Sequence, residues 1–210
     1  RPGDAGMRGR RSFRPWLLAL LLPVVSGCVM FERPPAELAC DPALVGRWLP
    51  LPGADTEKMP LGAGDYAEID AQCQVSLVEH GKPPRSKFRA LGFELDGQRY
   101  LALSQDDMRD LFEDTKPATP GKLPATSVLL LKYRIADDVL EVALPKASRA
   151  QESIQQGDRS VREADTMVYV VEGDAEALRR RLATDPGLFD PFDPASRNPR
   201  LRRAGTEATP

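Results

Sequence analysis

The chain has 210 residues, with 29 basic and 31 acidic side chains and a formal net charge of −2. This length accommodates one domain with extensions, or at most two small domains. A mildly acidic chain with no basic stripe is a poor candidate for binding nucleic acid, and its 20 prolines and 16 glycines predict many turns.

The N-terminal residues have the pattern of an export signal. From Met7, which we take as the start of translation, the chain is strongly basic as far as Arg14, and residues 16–25 carry no charge and are mostly apolar. A membrane-spanning helix needs about 20 apolar residues, so this run is too short for a permanent span. A basic head, a short apolar run and small residues after it are typical of a signal peptide, which we assign with the upstream residues to 1–27.

Val25-Ser26-Gly27-Cys28 resembles the lipobox of bacterial lipoproteins, in which an aliphatic residue and two small residues precede a cysteine. The resemblance implies that diacylglycerol is joined to Cys28, that the chain is cut in front of it, and that the new amine is acylated. The alternatives are an ordinary signal peptide with an incidental cysteine, or an uncleaved anchor. Loss of residues 1–27 removes five arginines and one aspartate, which leaves 24 basic and 30 acidic residues and a net charge of −6.

The same segment indicates which export route the chain follows and which membrane it reaches. Residues 10–13 (RRSF) resemble the twin-arginine export signal, but Arg14 and Pro15 replace the usual leucine and lysine, so we favour general secretion. Val29 is not the aspartate that typically retains lipoproteins at the inner membrane. The family rule then implies the outer membrane, with the protein facing the periplasm and held by lipid on Cys28.

The other two cysteines, Cys40 and Cys73, are expected to form a disulfide, because an even number of cysteines in an oxidising compartment favours pairing. A metal site is disfavoured, since His80 is the only histidine and no C-x-x-C occurs. Two unpaired buried thiols are the remaining alternative. Closing a loop of about 34 residues would stabilise the fold by ~3.8 kcal/mol.

The rest of the mature chain divides into three regions. Residues 28–39 contain two adjacent prolines and several charges, and we expect an extended tether there. Residues 40–190 are expected to form a single β-rich domain, and the proline-rich residues 191–210 a disordered tail. Apolar alternation within the domain predicts about seven strands, drawn from the segments 44–49, 66–69, 72–78, 88–95, 98–104, 127–135, 139–144 and 166–171.

Turn and cap residues add hairpins and helices to this pattern. Asp96-Gly97 predicts a two-residue hairpin turn, and Ser104 with an acid three residues on predicts a helix start, with the helix running through residue 112. Further helices are predicted over 145–156 and from Gly173-Asp174 to residue 183. The fold class is therefore α+β, with a mainly antiparallel sheet or a small barrel or sandwich of about seven strands, and two or three helices late in the chain.

Two wider resemblances concern the domain. Gly46-Arg47-Trp48 resembles the G-x-W signature of lipocalins, although a tryptophan that packs on a core strand is the simpler interpretation. The domain is also similar, over 40–190, to uncharacterised outer-membrane-type lipoproteins of Gram-negative bacteria. The shared features are the G-x-W strand, the paired cysteines, the F-x-A-x-G-F…R-Y-L hairpin at 88–101 and the G-D-A-E-A-L helix start at 173–178; they imply no known activity.

The sequence predicts no catalytic residue, metal ligand or cofactor. His80 lies in a Pro-Gly loop without the G-x-S-x-G elbow that a serine nucleophile would need. The acids of 106–114 lack the spacing of a calcium loop, and acids are favoured near a helix start by its dipole. The arginines at 179–181 and 202–203 are expected to form solvated faces, and no phosphate-binding glycine loop is present.

These observations favour a non-enzymatic lipoprotein that faces the periplasm and binds or scaffolds another envelope protein. The alternatives are a lipocalin-like carrier of a small apolar ligand and, third, an envelope hydrolase. An apolar pocket inside a closed barrel would favour the carrier, whereas a filled core with an exposed apolar patch would favour the scaffold. Acids that converge on a cleft would favour the hydrolase.

Overall fold

A computed structural model describes residues 27–51, 61, 64–111 and 122–205, so the predicted signal peptide lies outside the described residues except for Gly27. Thirteen strands and three helices are found in this part of the chain. The strands are β1 Cys28–Phe31, β2 Ala39–Cys40, β3 Gly46–Pro50, β4 Tyr66–Ile69, β5 Gln74–Val78, β6 Arg85–Arg89, β7 Leu91–Leu95, β8 Gln98–Ser104, β9 Val128–Ala136, β10 Val139–Ala143, β11 Val161–Asp165, β12 Val168–Val171 and β13 Arg200–Arg203. The helices are α1 Gln105–Leu111, α2 Ala147–Gln155 and α3 Ala175–Thr184.

All thirteen strands belong to one sheet, which curls into a half-barrel. Its main path is β11-β12-β1-β9-β10-β13-β3-β4-β5-β6, and β8, β7 and β2 branch from β9. The long strand β9 pairs with β8 along one edge, while its other edge pairs first with β1 and then with β10. The pairing of β1 with β12 is parallel and the other described pairings are antiparallel.

Buried apolar residues form clusters on both faces of the sheet. One cluster, formed mainly by residues of β3, β4, β5, β10 and β13, includes Trp48, Leu44, Val75, Leu140 and Leu201. The face of β1 and β12 that carries Val29 and Tyr169 is covered by α2 and α3, and a third cluster joins Met30 with partners from β8, β9 and β12. Side chains alternate along a strand, so Val29 and Phe31 point into the cluster beneath the helices, whereas Cys28 and Met30 belong to the third cluster.

The predicted class is confirmed in outline, and the predicted number of strands is wrong. The sheet is mainly antiparallel and three helices are present, but it has 13 strands rather than about seven. Several of the missed strands, such as β1, β2 and β13, have only two to four residues. A strand of that length contains too few alternations to produce a period in the sequence.

The local predictions about turns and caps are confirmed. Asp96 and Gly97 have φ angles of 49° and 72°, the positive values that the tight hairpin turn between β7 and β8 requires. At α1, the Asp107 amide donates to Ser104 Oγ at 3.1 Å and the Ser104 amide donates to Asp107 Oδ2 at 2.8 Å, which forms a reciprocal cap. Asp174 caps α3 by accepting a hydrogen bond from the Ala177 amide.

The expectation of a tether over 28–39 is wrong. Cys28–Phe31 lies inside the sheet between β12 and β9, and its Val-Met-Phe segment is fully buried. The residues that follow are also held on the domain, because the Gly173 amide donates to Glu32 Oε2 at 2.9 Å and Arg179 donates to the Pro35 carbonyl oxygen at 2.7 Å. The two prolines indicate an irregular segment correctly, but that segment is packed against α3.

The expected disordered tail at 191–210 is also wrong as far as residue 203. Strand β13 lies between β10 and β3 and completes the wall of the half-barrel. Arg203 contributes to this closure, since its guanidinium lies 4.3 Å from the centre of the Trp48 ring and donates to the carbonyl oxygens of Ala43 and Val45. The expectation of solvated arginines is therefore wrong for Arg203, and the sheet spans 28–203 rather than 40–190.

Candidate lipid-attachment site

Cys28 is the first residue of β1, and it is paired with β12 on one side, whereas β9 pairs with β1 at Phe31. Its backbone amide donates to the carbonyl oxygen of Met167 at 2.8 Å, and its register partner on β12 is Val168. The side chain is half-buried, with Sγ 3.8 Å from Met30 Sδ. The predicted lipidation residue is thus held by main-chain pairing rather than by a free N-terminal arm.

The surroundings of Cys28 disfavour ionisation of its thiol in the folded protein. Burial removes water that would solvate a thiolate, and it raises the pKa of the Cys28 thiol to about 11. At neutral pH the sulfur is therefore protonated, and a protonated thiol is a weak nucleophile. We therefore expect lipid to be transferred to Cys28 before β1 pairs with its neighbours.

Gly27 occupies a narrow space beside the start of α2. A Cβ atom at this position would lie 2.7 Å from the Met167 carbonyl oxygen and 2.8 Å from Ala147 Cβ, distances at which neighbours would have to move. The folded uncleaved chain therefore accepts only glycine here. The lipobox also requires a small residue at this position, so the sequence pattern and the packing impose the same restriction.

The turn between β11 and β12 positions the acceptor for the Cys28 amide. Met167 has a φ angle of 61°, which a non-glycine residue adopts rarely and at some cost in conformational energy. Its amide donates to Glu163 Oε1 at 3.1 Å, which helps to hold the turn. With this conformation fixed, the Met167 carbonyl faces the first residue of β1.

The disulfide predicted between Cys40 and Cys73 is confirmed. The two Cα atoms are 5.7 Å apart and the sulfurs 1.99 Å apart, so the bond links β2 to the residue before β5. Next to it, Asp41 accepts hydrogen bonds from the Ala43 amide at 2.8 Å and from the Tyr133 hydroxyl at 2.6 Å. Burial, together with Asp41, raises the pKa of Tyr133. This end of the half-barrel is thereby fixed covalently and by partly buried hydrogen bonds.

The other residues considered for chemistry do not converge on Cys28. His80 is exposed in the turn between β5 and β6, and its backbone amide donates to Asp65 Oδ1. Asp107 serves the cap of α1, while residues 113 and 114 lie outside the described part of the chain. Within the described ranges, no group of three or more His, Cys, Asp or Glu side chains is placed to hold a metal ion.

A polar groove lies between the start of α2 and the end of α3, and no sequence pattern predicted it. The groove has a volume of about 380 Å³ and is lined by Lys146, Ser148, Arg149, Glu152, Thr184, Asp185, Pro186 and Gly187. Within it, Arg149 Nε donates to both carboxylate oxygens of Asp185, at 3.0 and 3.1 Å. Arg149 pairs with Asp185 and Glu152, Lys146 pairs with Asp190 outside the lining, and the groove does not have the apolar lining expected for a lipophilic ligand.

Comparisons with known proteins do not identify the site. No known protein family, no curated protein and no solved structure matches the chain. Among the described residues, no helix is both long and apolar enough to cross a membrane. The interpretation of Cys28 therefore depends on the residues before it and on its position in the sheet.

Proposed function

We propose that this protein is a lipoprotein of the cell envelope, held on the periplasmic side of the outer membrane by lipid on Cys28, with a non-catalytic binding or scaffolding role. The observation that carries the proposal is that the lipobox pattern ends at the first residue of β1, the first described strand. Cleavage in front of Cys28 removes Gly27 alone from the described residues and leaves all of the described strands intact. Export signal and folded domain thus meet at one peptide bond.

The hydrogen bond at the start of β1 is compatible with this processing. The Cys28 nitrogen carries one hydrogen as part of a peptide bond, and it also carries one hydrogen after its amine has been acylated. An acyl amide can therefore make the same bond to the Met167 carbonyl oxygen that the uncleaved chain makes at 2.8 Å. An acyl group also has no branch equivalent to a Cβ, which suits the narrow space at Gly27.

The disulfide and the paired acids support the rest of the proposal. A disulfide that links two parts of a domain is typical of proteins exported to an oxidising compartment. The buried carboxylates of Glu141 and Asp185 are each bonded to an arginine, which favours a structural role over acid–base chemistry. The disulfide supports export, and the paired carboxylates favour a binding protein over an envelope hydrolase.

A lipocalin-like carrier is the second candidate, because Trp48 of the G-x-W segment is fully buried on β3, a strand of the half-barrel. Its indole donates to the Leu44 carbonyl oxygen at 2.7 Å, and Arg203 covers the ring. The residues around it pack against one another, which favours the scaffold. Saturable binding of a fluorescent fatty acid by the soluble Cys28→Ala protein, with quenching of Trp48, would instead support the carrier.

The proposal is tested by intact-mass spectrometry of the protein isolated from a Gram-negative envelope. We expect a chain that begins at Cys28 and carries the mass of diacylglycerol and one further acyl group. Cys28→Ala should move the protein to the soluble fraction. Met30→Leu, a change of similar volume beside Cys28 that leaves the lipobox intact, should stay in the membrane fraction. An unmodified wild-type protein, or membrane association unchanged by Cys28→Ala, would refute the proposal.

A further inference from the structure

We propose that the membrane surface contacts the folded domain directly, through the residues that surround Cys28. This inference rests on the proposed lipid attachment at that residue. The contacting surface, called the anchor rim below, consists of Lys122, Leu123, Lys146, Ala147, Thr166 and Met167. A lipid bilayer is the occupant, since the acyl chains on Cys28 enter it at this point.

The proposed anchor on Cys28 is separated from the sheet by no linker. An extended tether of 12 residues would place the domain up to about 40 Å from the membrane. Here Val29 is already paired with Tyr169 and fully buried, and Glu32 and Pro35 are bonded to the start and the middle of α3. No residue is left over between the lipidated cysteine and the sheet, so the acyl chains must leave directly from the surface of the domain.

The residues of the anchor rim lie close to Cys28 and Gly27. The turn that contains Thr166 and Met167 receives the Cys28 amide, and Ala147 at the start of α2 lies against Gly27. Leu123 packs on the same apolar cluster as the Cys28 side chain. Lys122 and Lys146 are the chain neighbours of Leu123 and Ala147. The rim therefore borders Cys28 on several sides.

The chemistry of the rim suits the boundary between head groups and acyl chains. Leu123 and Met167 are half-buried apolar side chains. The part of each that remains exposed can be buried at the boundary between lipid head groups and acyl chains. Lys122 and Lys146 pair with Asp165 at 2.8 Å and with Asp190 at 3.2 Å, yet both side chains keep a third or more of their surface in solvent. Ammonium groups in such positions can also reach the phosphates of anionic lipids.

Tryptophan fluorescence tests this contact in the lipidated protein. Of the two tryptophans in the sequence, Trp16 is removed with the signal peptide, so the mature chain contains only the fully buried Trp48. Thr166→Trp places a reporter on the exposed turn of the rim. His80→Trp is the matched control, since His80 lies on an exposed turn next to β5, six strand positions from β1. Both proteins are reconstituted in phosphatidylcholine–phosphatidylglycerol vesicles, with and without brominated acyl chains.

We expect brominated lipid to reduce the fluorescence of Thr166→Trp at least about twofold and to leave His80→Trp close to wild type. Absence of quenching in both proteins, or equal quenching in both, would overturn the inference while leaving lipidation at Cys28 intact. An unlipidated product in the mass spectrum would overturn both this inference and the proposed function.

A second measurement needs no substitution on the rim. Acetylation by an amine-reactive reagent compares Lys122 with Lys82, whose side chains are 46% and 66% exposed. On vesicles, acetylation of Lys122 in the wild-type protein should slow relative to the soluble Cys28→Ala protein, and acetylation of Lys82 should not. Equal rates for Lys122 in the two proteins would contradict direct contact.

Discussion

Replacing Glu141 with alanine is expected to loosen the C-terminal segment from the half-barrel. Glu141 lies on β10 and is only 4% exposed. Its Oε2 accepts two hydrogen bonds from Arg134, at 3.0 and 2.8 Å, and its Oε1 accepts one each from Ser196 and Asn198, both at 3.0 Å. This carboxylate therefore connects the sheet to the segment that leads into β13.

The size of the effect follows from these four bonds. Hydrogen bonds to a charged group contribute about 1.5–3 kcal/mol each and are not additive. The Arg134 side chain is 47% exposed, so solvent reduces the contribution of its pair with Glu141 to the free energy of unfolding. Asn198 is buried and keeps its bond to the Pro191 carbonyl oxygen. We therefore expect Glu141→Ala to lower the free energy of unfolding by ~3 kcal/mol. For a domain of this size that corresponds to a decrease of ~6–12 °C in Tm.

Urea unfolding of the soluble Cys28→Ala protein provides the measurement, with Glu152→Ala as the matched control. Glu152 also pairs with an arginine, Arg149, but its side chain is 55% exposed, so its loss should cost less than about 1 kcal/mol. Proteolysis between residues 193 and 199 should become faster in Glu141→Ala alone. If the two variants unfold at the same urea concentration, Glu141 does not hold the C-terminal segment as we infer.

Three further outcomes are expected. Replacing both Cys40 and Cys73 with alanine should cost about 2–5 kcal/mol of stability, and alkylation of two free thiols in protein isolated from the periplasm would contradict the bond. Hydrogen bonds from Ser160 are the main reason why the pKa of Asp158 is lowered to about 2. Because the pKa of an unfolded aspartate is ~3.9, this stabilisation is complete above that pH and is lost as the pH falls from about 4 to 2. Between these pH values, urea unfolding should show that Asp158→Asn loses less free energy of unfolding than the wild-type protein. An equal loss in the two proteins would contradict this role of Asp158. His80→Ala should leave folding, lipidation and any phenotype of the wild-type protein unchanged, and a selective loss of function would show that this histidine is essential.

The features that the sequence predicted correctly depend on residues close together in the chain. Asp96-Gly97 determines its hairpin through two backbone angles, and Ser104 with Asp107 caps α1 across one helical turn. Leu178 and Leu182, four residues apart, are both buried on α3 as expected. In each case the physical cause lies within a few residues, so a local pattern is sufficient.

The features that were missed depend on partners far away in the chain. Cys28 pairs with Val168, and Leu201 of β13 pairs with Leu140 and with Pro50. Because β1 and β13 gain most of their stability from these distant partners, the four residues of each strand do not predict a strand by themselves. The buried cluster around Glu141 was missed for the same reason, since Ser196 and Asn198 reach it from more than 50 residues away.

The candidate site combines both situations. The lipobox is a local pattern and can be recognised without any structure, whereas the burial of Val29, Met30 and Phe31 depends on β9 and β12. The sequence therefore led to the prediction of lipid on Cys28, but not to the finding that Cys28 begins β1, the first described strand. If lipid is attached before β1 pairs, the strand next to the anchor is fixed only once Val168–Val171 and Val128 have folded around it. Membrane attachment would then precede completion of the sheet, and the orientation of the domain on the membrane would be set by folding rather than by a linker.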